Sequence, residues 1–138
     1  MTSEVISQLT TSGLGQSTTI GIGGDPVHGM SFVDCLALFF ADPQTEAVVL
    51  IGEIGGTEEQ QAAEYIRSAR SGKPVIALVV GEHAPVRRRM GHAGALIQDA
   101  RADAASKVDA LREAGVIVAP SAHLVGASVR EAVARRAA

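Results

Sequence analysis

The sequence predicts an α/β domain built on a doubly wound, mostly parallel sheet, and two observations carry that expectation. Short apolar runs at residues 47–51, 74–80 and 116–119 lack the in-and-out alternation of a half-solvated strand. Unbroken runs of this kind are what strands covered on both faces require. The stretches between them place apolar residues at helical spacing and are bounded by capping residues and glycines, the marks of helices that start and stop. Strands alternating with helices imply right-handed crossovers and a parallel order. Ligands of such sheets collect beyond the carboxyl ends of the strands, so the loops leaving those ends are where chemistry is sought.

Residues 2–9 suit a short helix, ended by Thr11-Ser12-Gly13-Leu14-Gly15. The β-branched run Thr18-Thr19-Ile20-Gly21-Ile22 reads as a strand that stops in the turn Gly23-Gly24-Asp25-Pro26. Ser31 caps the next helix, with Asp34 placed to reach back, and Phe32, Val33, Leu36, Phe39 and Phe40 give it one broad buried face. Asp42-Pro43 stops it, and the run at 47–51 then delivers Gly52-Glu53 to the carboxyl edge of the sheet. Thr57-Glu58-Glu59-Gln60 has the form of a capping box, with Thr57 and Gln60 as reciprocal caps, opening a helix that turns Ala62, Ala63, Tyr65 and Ile66 inward. Gly81 follows the third strand and opens a long loop. Residues 104–114 form an amphipathic helix with Val108 and Leu111 inside, closed by Gly115. After a strand at 116–119, Ser121 starts a last helix through Val125, Val129 and Val133, whose Arg135-Arg136 end is solvated.

With 138 residues the chain forms one domain, and 46% hydrophobic against 20% charged residues makes it globular. Aromatic residues are only 3%, so the core is aliphatic and rich in alanine. A net charge of -3 leaves no footprint for nucleic acid or an anionic membrane. No apolar run reaches the length of a membrane span, and the amino terminus lacks the charged-then-apolar pattern of a leader. Cys35 is the single cysteine, which excludes an internal disulfide and makes a reducing cytoplasm the expected compartment. Four histidines without carboxylates or cysteines at ligand spacing predict no metal site. Among them His28, His83 and His123 read as surface or packing residues, and Cys35 as a small buried hydrophobe.

The chemistry gathers at Arg87-Arg88-Arg89-Met90-Gly91-His92-Ala93-Gly94. Neutral imidazole is a competent nucleophile near pH 7, and Gly91 and Gly94 lack the Cβ that would keep a phosphate or partner away from His92. The three arginines serve either to neutralise a phosphorylated ring or partner surface, or as a solvated loop. A second glycine-bracketed block, Ile51-Gly52-Glu53-Ile54-Gly55-Gly56, supplies a carboxylate able to orient the imidazole by holding one ring nitrogen protonated. Without a partner of this kind, a histidine between glycines is an ordinary surface turn.

Five blocks together resemble a known family: Gly13-Leu14-Gly15-Gln16-Ser17-Thr18, Gly21-Ile22-Gly23-Gly24-Asp25-Pro26, Asp42-Pro43-Gln44-Thr45-Glu46, Ile51 to Gly56, and Met90-Gly91-His92-Ala93-Gly94-Ala95. They occur in the order found in the carboxyl-terminal ligase domain of the succinyl-CoA synthetase α-subunit, which ATP-citrate lyase shares. The resemblance implies a flavodoxin-like sheet. It also implies that His92 is transiently phosphorylated, that Glu53 orients it, and that Gly55 and Gly56 belong to the phosphate-side loop. Gly23, Gly24 and Asp25 then either line the acyl-phosphate region or form a plain strand-to-helix turn. No cofactor is expected on this chain; nucleotide, Mg²⁺ and coenzyme A are implied for a full complex with an ATP-grasp β-subunit and a CoA-binding domain.

Departures from the family shape the remaining expectations. The chain begins with Met1-Thr2-Ser3-Glu4 inside the matching first helix, so the family's first strand, the turn after it and the CoA-binding domain are expected to be missing. The loss of an interior strand would leave unpaired backbone and an apolar surface, to be covered by a partner chain or a homodimer. Residues 98–103 replace a glycine-rich linker. Two functions follow: a phosphohistidine-bearing module of an acyl-CoA synthetase, or a non-catalytic docking or regulatory module that keeps the fold. The choice among succinate, citrate and malate, and between ATP and GTP, is not written in these blocks.

Overall fold

The computed structural model describes residues 1–25, 27–81 and 103–137. A parallel sheet is interleaved with helices, in strand order β1-β2-β3. β1 (Val48–Glu53) runs beside β2 (Val75–Val80), with Val48 opposite Val75 and Glu53 opposite Val80. β3 (Ile117–Val118) pairs with the other side of β2, Ile76 opposite Ile117 and Ala77 opposite Val118. The three apolar runs therefore became strands. β1 extends further than expected, which makes Glu53 its last residue.

The pleat of β2 sends alternate residues to two cores. Val75 and Ala77 join Val48 and Leu50 of β1 in a cluster closed by Leu36, Ala62, Ala63 and Leu111. These come from α2 (Phe32–Ala41), α3 (Glu58–Ala69) and α4 (Ala104–Glu113). Ile76 and Leu78 face the opposite way, against Val5 and Leu9 of α1 (Thr2–Thr11) and Val125, Val129 and Ala132 of α5 (Val125–Ala137). Helices on both faces make the sheet doubly wound, as the unbroken apolar runs required.

Local signals held at most helix ends. Ser31 and Asp34 form a reciprocal capping box on α2, and Gly115 takes a left-handed φ of 81° just past α4. On α2, Cys35 and Leu36 are buried, while Phe32, Phe39 and Phe40 pack half-buried against the first core. Burial and, to a lesser degree, the neighbouring Asp34 push the Cys35 thiol pKa up. The final helix is preceded by a 3₁₀ turn at Ala122–Leu124. Gln8 of α1 ties that turn down, donating to the Ala122 carbonyl at 2.9 Å and accepting from the Gly126 N–H at 3.2 Å.

Two expectations fail. Residues 18–22 form no strand: a strand needs a ladder neighbour within hydrogen-bonding distance, and this segment stands off from the edge of β1. Between this segment and β1 lies a groove of about 670 Å³, lined by residues 13–20, Val48–Ile51 and apolar side chains of α1 and α2. The segment is held at Ser17, whose hydroxyl lies 3.0 Å from that of Thr45, which in turn donates to Asp42 at 2.6 Å. Thr57 does not cap α3 with its side chain either: its φ of -136° and ψ of 20° differ from the extended backbone found at Ser31, and no side-chain cap bond forms.

Candidate active site

Glu53 stands at the carboxyl end of β1, half-buried, where the chain turns into α3. That turn is shaped by Gly55 and Gly56, with φ of 92° and 61°, a region that side chains with a Cβ adopt at a cost. The residue between, Ile54, is buried and packs against Ala104 of α4 and Val79 of β2. Gly81, at the end of β2, is also pressed against it: a Cβ there would lie 2.7 Å from the Ile54 side chain. Gly81 and Ala104 bracket residues 82–102. His92, Gly91, Gly94, His83 and the three arginines lie outside the described residues.

Beneath the turn sits a buried ion pair that the sequence reading missed. Glu59, the second residue of α3, and Lys107 of α4 are 4% and 0% exposed. One Glu59 oxygen accepts from the Lys107 ammonium, and the other accepts from the Glu53 N–H at 3.2 Å. Lys107 also donates to the Glu53 carbonyl at 2.7 Å and to the Gly55 carbonyl. Gly52 makes room for this arrangement, since a Cβ there would lie 2.4 Å from the Glu59 carboxylate oxygen. Thr57-Glu58-Glu59-Gln60 thus opens a helix as expected, but its second glutamate faces the interior. A signal was present on α4: Ala104, Lys107 and Leu111 follow helical spacing, so the lysine falls on the buried stripe.

A second link draws in the turn at Gly23, Gly24 and Asp25. His28 places Nε2 2.7 Å from a Glu58 oxygen at the start of α3 and Nδ1 3.1 Å from the Asp25 carbonyl. Both partners are acceptors, so a doubly protonated ring satisfies both. His28 is therefore a strut between the two glycine turns, a role beyond the surface or packing position expected of it. Gly23 has a φ of 89°, and Asp25 is exposed. Nearby, Asp34 has its carboxyl held below the usual range by the Ser31 N–H, then by the Ser31 hydroxyl and more weakly by His28. Among the described residues, no group of three or more histidine, cysteine or acidic side chains is arranged to hold a metal. Nor is any described helix long and apolar enough to cross a membrane.

The family model described as CoA-ligase matches residues 1–117, a span that includes this strand and turn. The chain belongs to the CoA-ligase family. This CoA-ligase chain is 50% identical over 129 residues to the α-subunit of an ADP-forming succinate–CoA ligase from Aquifex aeolicus, covering 94% of this chain and 42% of that one. It is also 50% identical over 119 residues to subunit α 1 of the Archaeoglobus fulgidus ligase, covering 86% of this chain and 40% of the relative. It thus spans less than half the length of the curated relatives it matches. Among solved structures it resembles ATP citrate lyase from Methanosaeta concilii in complex with (3S)-citryl-CoA, with a TM-score of 0.76 and 29% identity over 82% of this chain and 19% of that one. The resemblance to succinyl-CoA synthetase α-subunits and ATP-citrate lyase, and the flavodoxin-like fold class, both hold.

Proposed function

We propose that this CoA-ligase chain is the phosphohistidine-bearing module of a nucleoside-diphosphate-forming acyl-CoA synthetase, with His92 as the phosphoryl acceptor and Glu53 as the carboxylate that orients its ring. One observation supports this most: Gly81 and Ala104, which bracket the segment carrying His92, both pack on Ile54, the residue after Glu53. The described residues on either side of that segment therefore meet at the neighbour of the carboxylate expected to serve His92.

In this reading, Glu53 accepts a hydrogen bond from one ring nitrogen of His92, leaving the other with a free lone pair. That nitrogen attacks the terminal phosphorus of a nucleoside triphosphate, and the bond to the β-phosphate oxygen breaks to release the diphosphate. A substrate carboxylate oxygen then attacks the phosphorus. The N–P bond breaks, its electrons return to the ring, and an acyl phosphate leaves. Attack of the coenzyme A thiolate on the acyl carbon expels phosphate. Succinate is the substrate class suggested by the names of the α-subunits that this chain resembles. The nucleotide with Mg²⁺ belongs to an ATP-grasp β-subunit, and coenzyme A to a CoA-binding domain. The groove beside β1 enters as the seat of one extended strand from such a partner domain, because β1 is the edge strand of the described sheet and an open edge offers a backbone ladder.

The test is incubation with a β-subunit of a related ligase, Mg²⁺ and terminally labelled nucleotide. Acid-labile, base-stable label is expected on the chain, absent from His92→Ala and slowed in Glu53→Gln. Failure to label, where a complete α-subunit becomes labelled, favours the non-catalytic docking or regulatory module.

A further inference from the structure

An apolar pair of the same shape beneath the Glu53 turn would avoid the desolvation cost that burying Lys107 and Glu59 carries. What an apolar pair could not do is grip a backbone. Each of the three ammonium protons of Lys107 has an acceptor: the carbonyls of Glu53 and Gly55 and the Glu59 carboxylate. The other oxygen of Glu59 holds the Glu53 N–H. Both polar groups of the Glu53 backbone are therefore fixed by side chains, one on α3 and one on α4.

We propose that Glu59 and Lys107 are positioning residues, a clamp on the peptide groups of residues 53 and 55 that presents the Glu53 carboxylate at one angle. The clamp also couples two parts of the site. Lys107 sits one turn into α4, the helix into which residues 82–102 feed, so the landing point of the histidine segment and the carboxylate turn move as one body. The geometry stands on its own contacts, while the catalytic consequence rests on the reading of His92 and Glu53 above.

The test replaces both side chains together, Glu59→Met with Lys107→Met, so that neither charge is left buried without its partner. A purely structural pair would change the thermal midpoint and nothing else. A clamp predicts a folded variant whose Glu53 amide exchanges with solvent at least about tenfold faster, while Leu50 in the same strand is unaffected. In the complex with a β-subunit, phosphate transfer to His92 is expected to slow about a hundredfold, as for reacting groups misplaced by about 1 Å, with the KM for nucleotide unchanged. Parental amide exchange and parental transfer in the folded variant would overturn the proposal.

Should the double variant fail to fold, Glu59→Gln decides, because its amide nitrogen must face one of two donors, Lys107 or the Glu53 N–H. The same two changes are expected at smaller size, and their absence overturns the clamp. A parent chain that never labels on His92 would overturn the phosphohistidine reading instead, leaving amide exchange to judge the clamp.

Discussion

Gly52→Ala should be strongly destabilising, although the usual expectation for glycine inside a strand is the reverse. Alanine in place of a strand glycine ordinarily stabilises by about 0.5–1 kcal/mol, through the smaller entropy lost on folding. Here the added Cβ would lie 2.4 Å from the Glu59 oxygen, 2.8 Å from its Cγ and 2.9 Å from its Cδ. The glutamate has to leave, and with it go the bond to the Glu53 N–H and the pair with Lys107. Breaking a buried pair in this way costs about 3–5 kcal/mol. After the backbone gain, the net loss is about 2–4 kcal/mol, or roughly 10 °C in thermal midpoint for a chain of this size. Urea unfolding followed by far-UV circular dichroism measures it, since the chain has no tryptophan for fluorescence. The decisive control adds Gly52→Ala to a Glu59→Ala chain, where the obstacle is gone and the substitution should become neutral or stabilising. A Gly52→Ala chain as stable as its parent would refute the reasoning about the buried carboxylate.

Three further outcomes follow from contacts away from the turn. Lys73 donates to the Phe39 carbonyl at 2.8 Å and to the Asp42 carbonyl at the end of α2, so Lys73→Met should cost about 1–3 kcal/mol in urea unfolding; a change within experimental error would show the contact to be idle. Asp42 has its carboxyl held below the usual range by the Thr45 hydroxyl first and the Gln44 N–H second. A folded pKa below the unfolded one gives stability above about pH 4, lost as pH falls through the folded value. The midpoint difference between parent and Asp42→Asn should therefore be constant near neutrality and shrink in acid, and a difference independent of pH would contradict it. Cys35 is buried with its thiol pKa pushed up, so a disulfide reagent at pH 8 should react with it only after urea unfolding; rapid reaction in the native chain would place it at the surface.

The sheet was legible because each strand reported its own environment. Val75 to Leu78 must be apolar throughout when α3 and α4 cover one face and α1 and α5 the other. The capping box at Ser31 and Asp34 was legible for a similar reason, since all of its atoms lie within one turn of helix. Thr18–Ile22 misled because β-branched residues favour a strand only where they pair with a neighbour, and a groove holds this segment away from the edge of β1. Thr57 misled because spacing says nothing of the φ and ψ that aim a capping hydroxyl.

The site divides along the same line. Gly55 and Gly56 mark where the backbone turns after Glu53, and a strand's end marks where a ligand is met, so local sequence determined that turn and the carboxylate at its edge. Tertiary structure alone decided that Glu59 and Lys107, 48 residues apart, meet under the turn, and that His28 braces it from the opposite loop. Charged side chains are ordinarily placed on the surface when a sequence is read, because water solvates them best. Only folded neighbours that replace every one of those water contacts can bring such a pair inside.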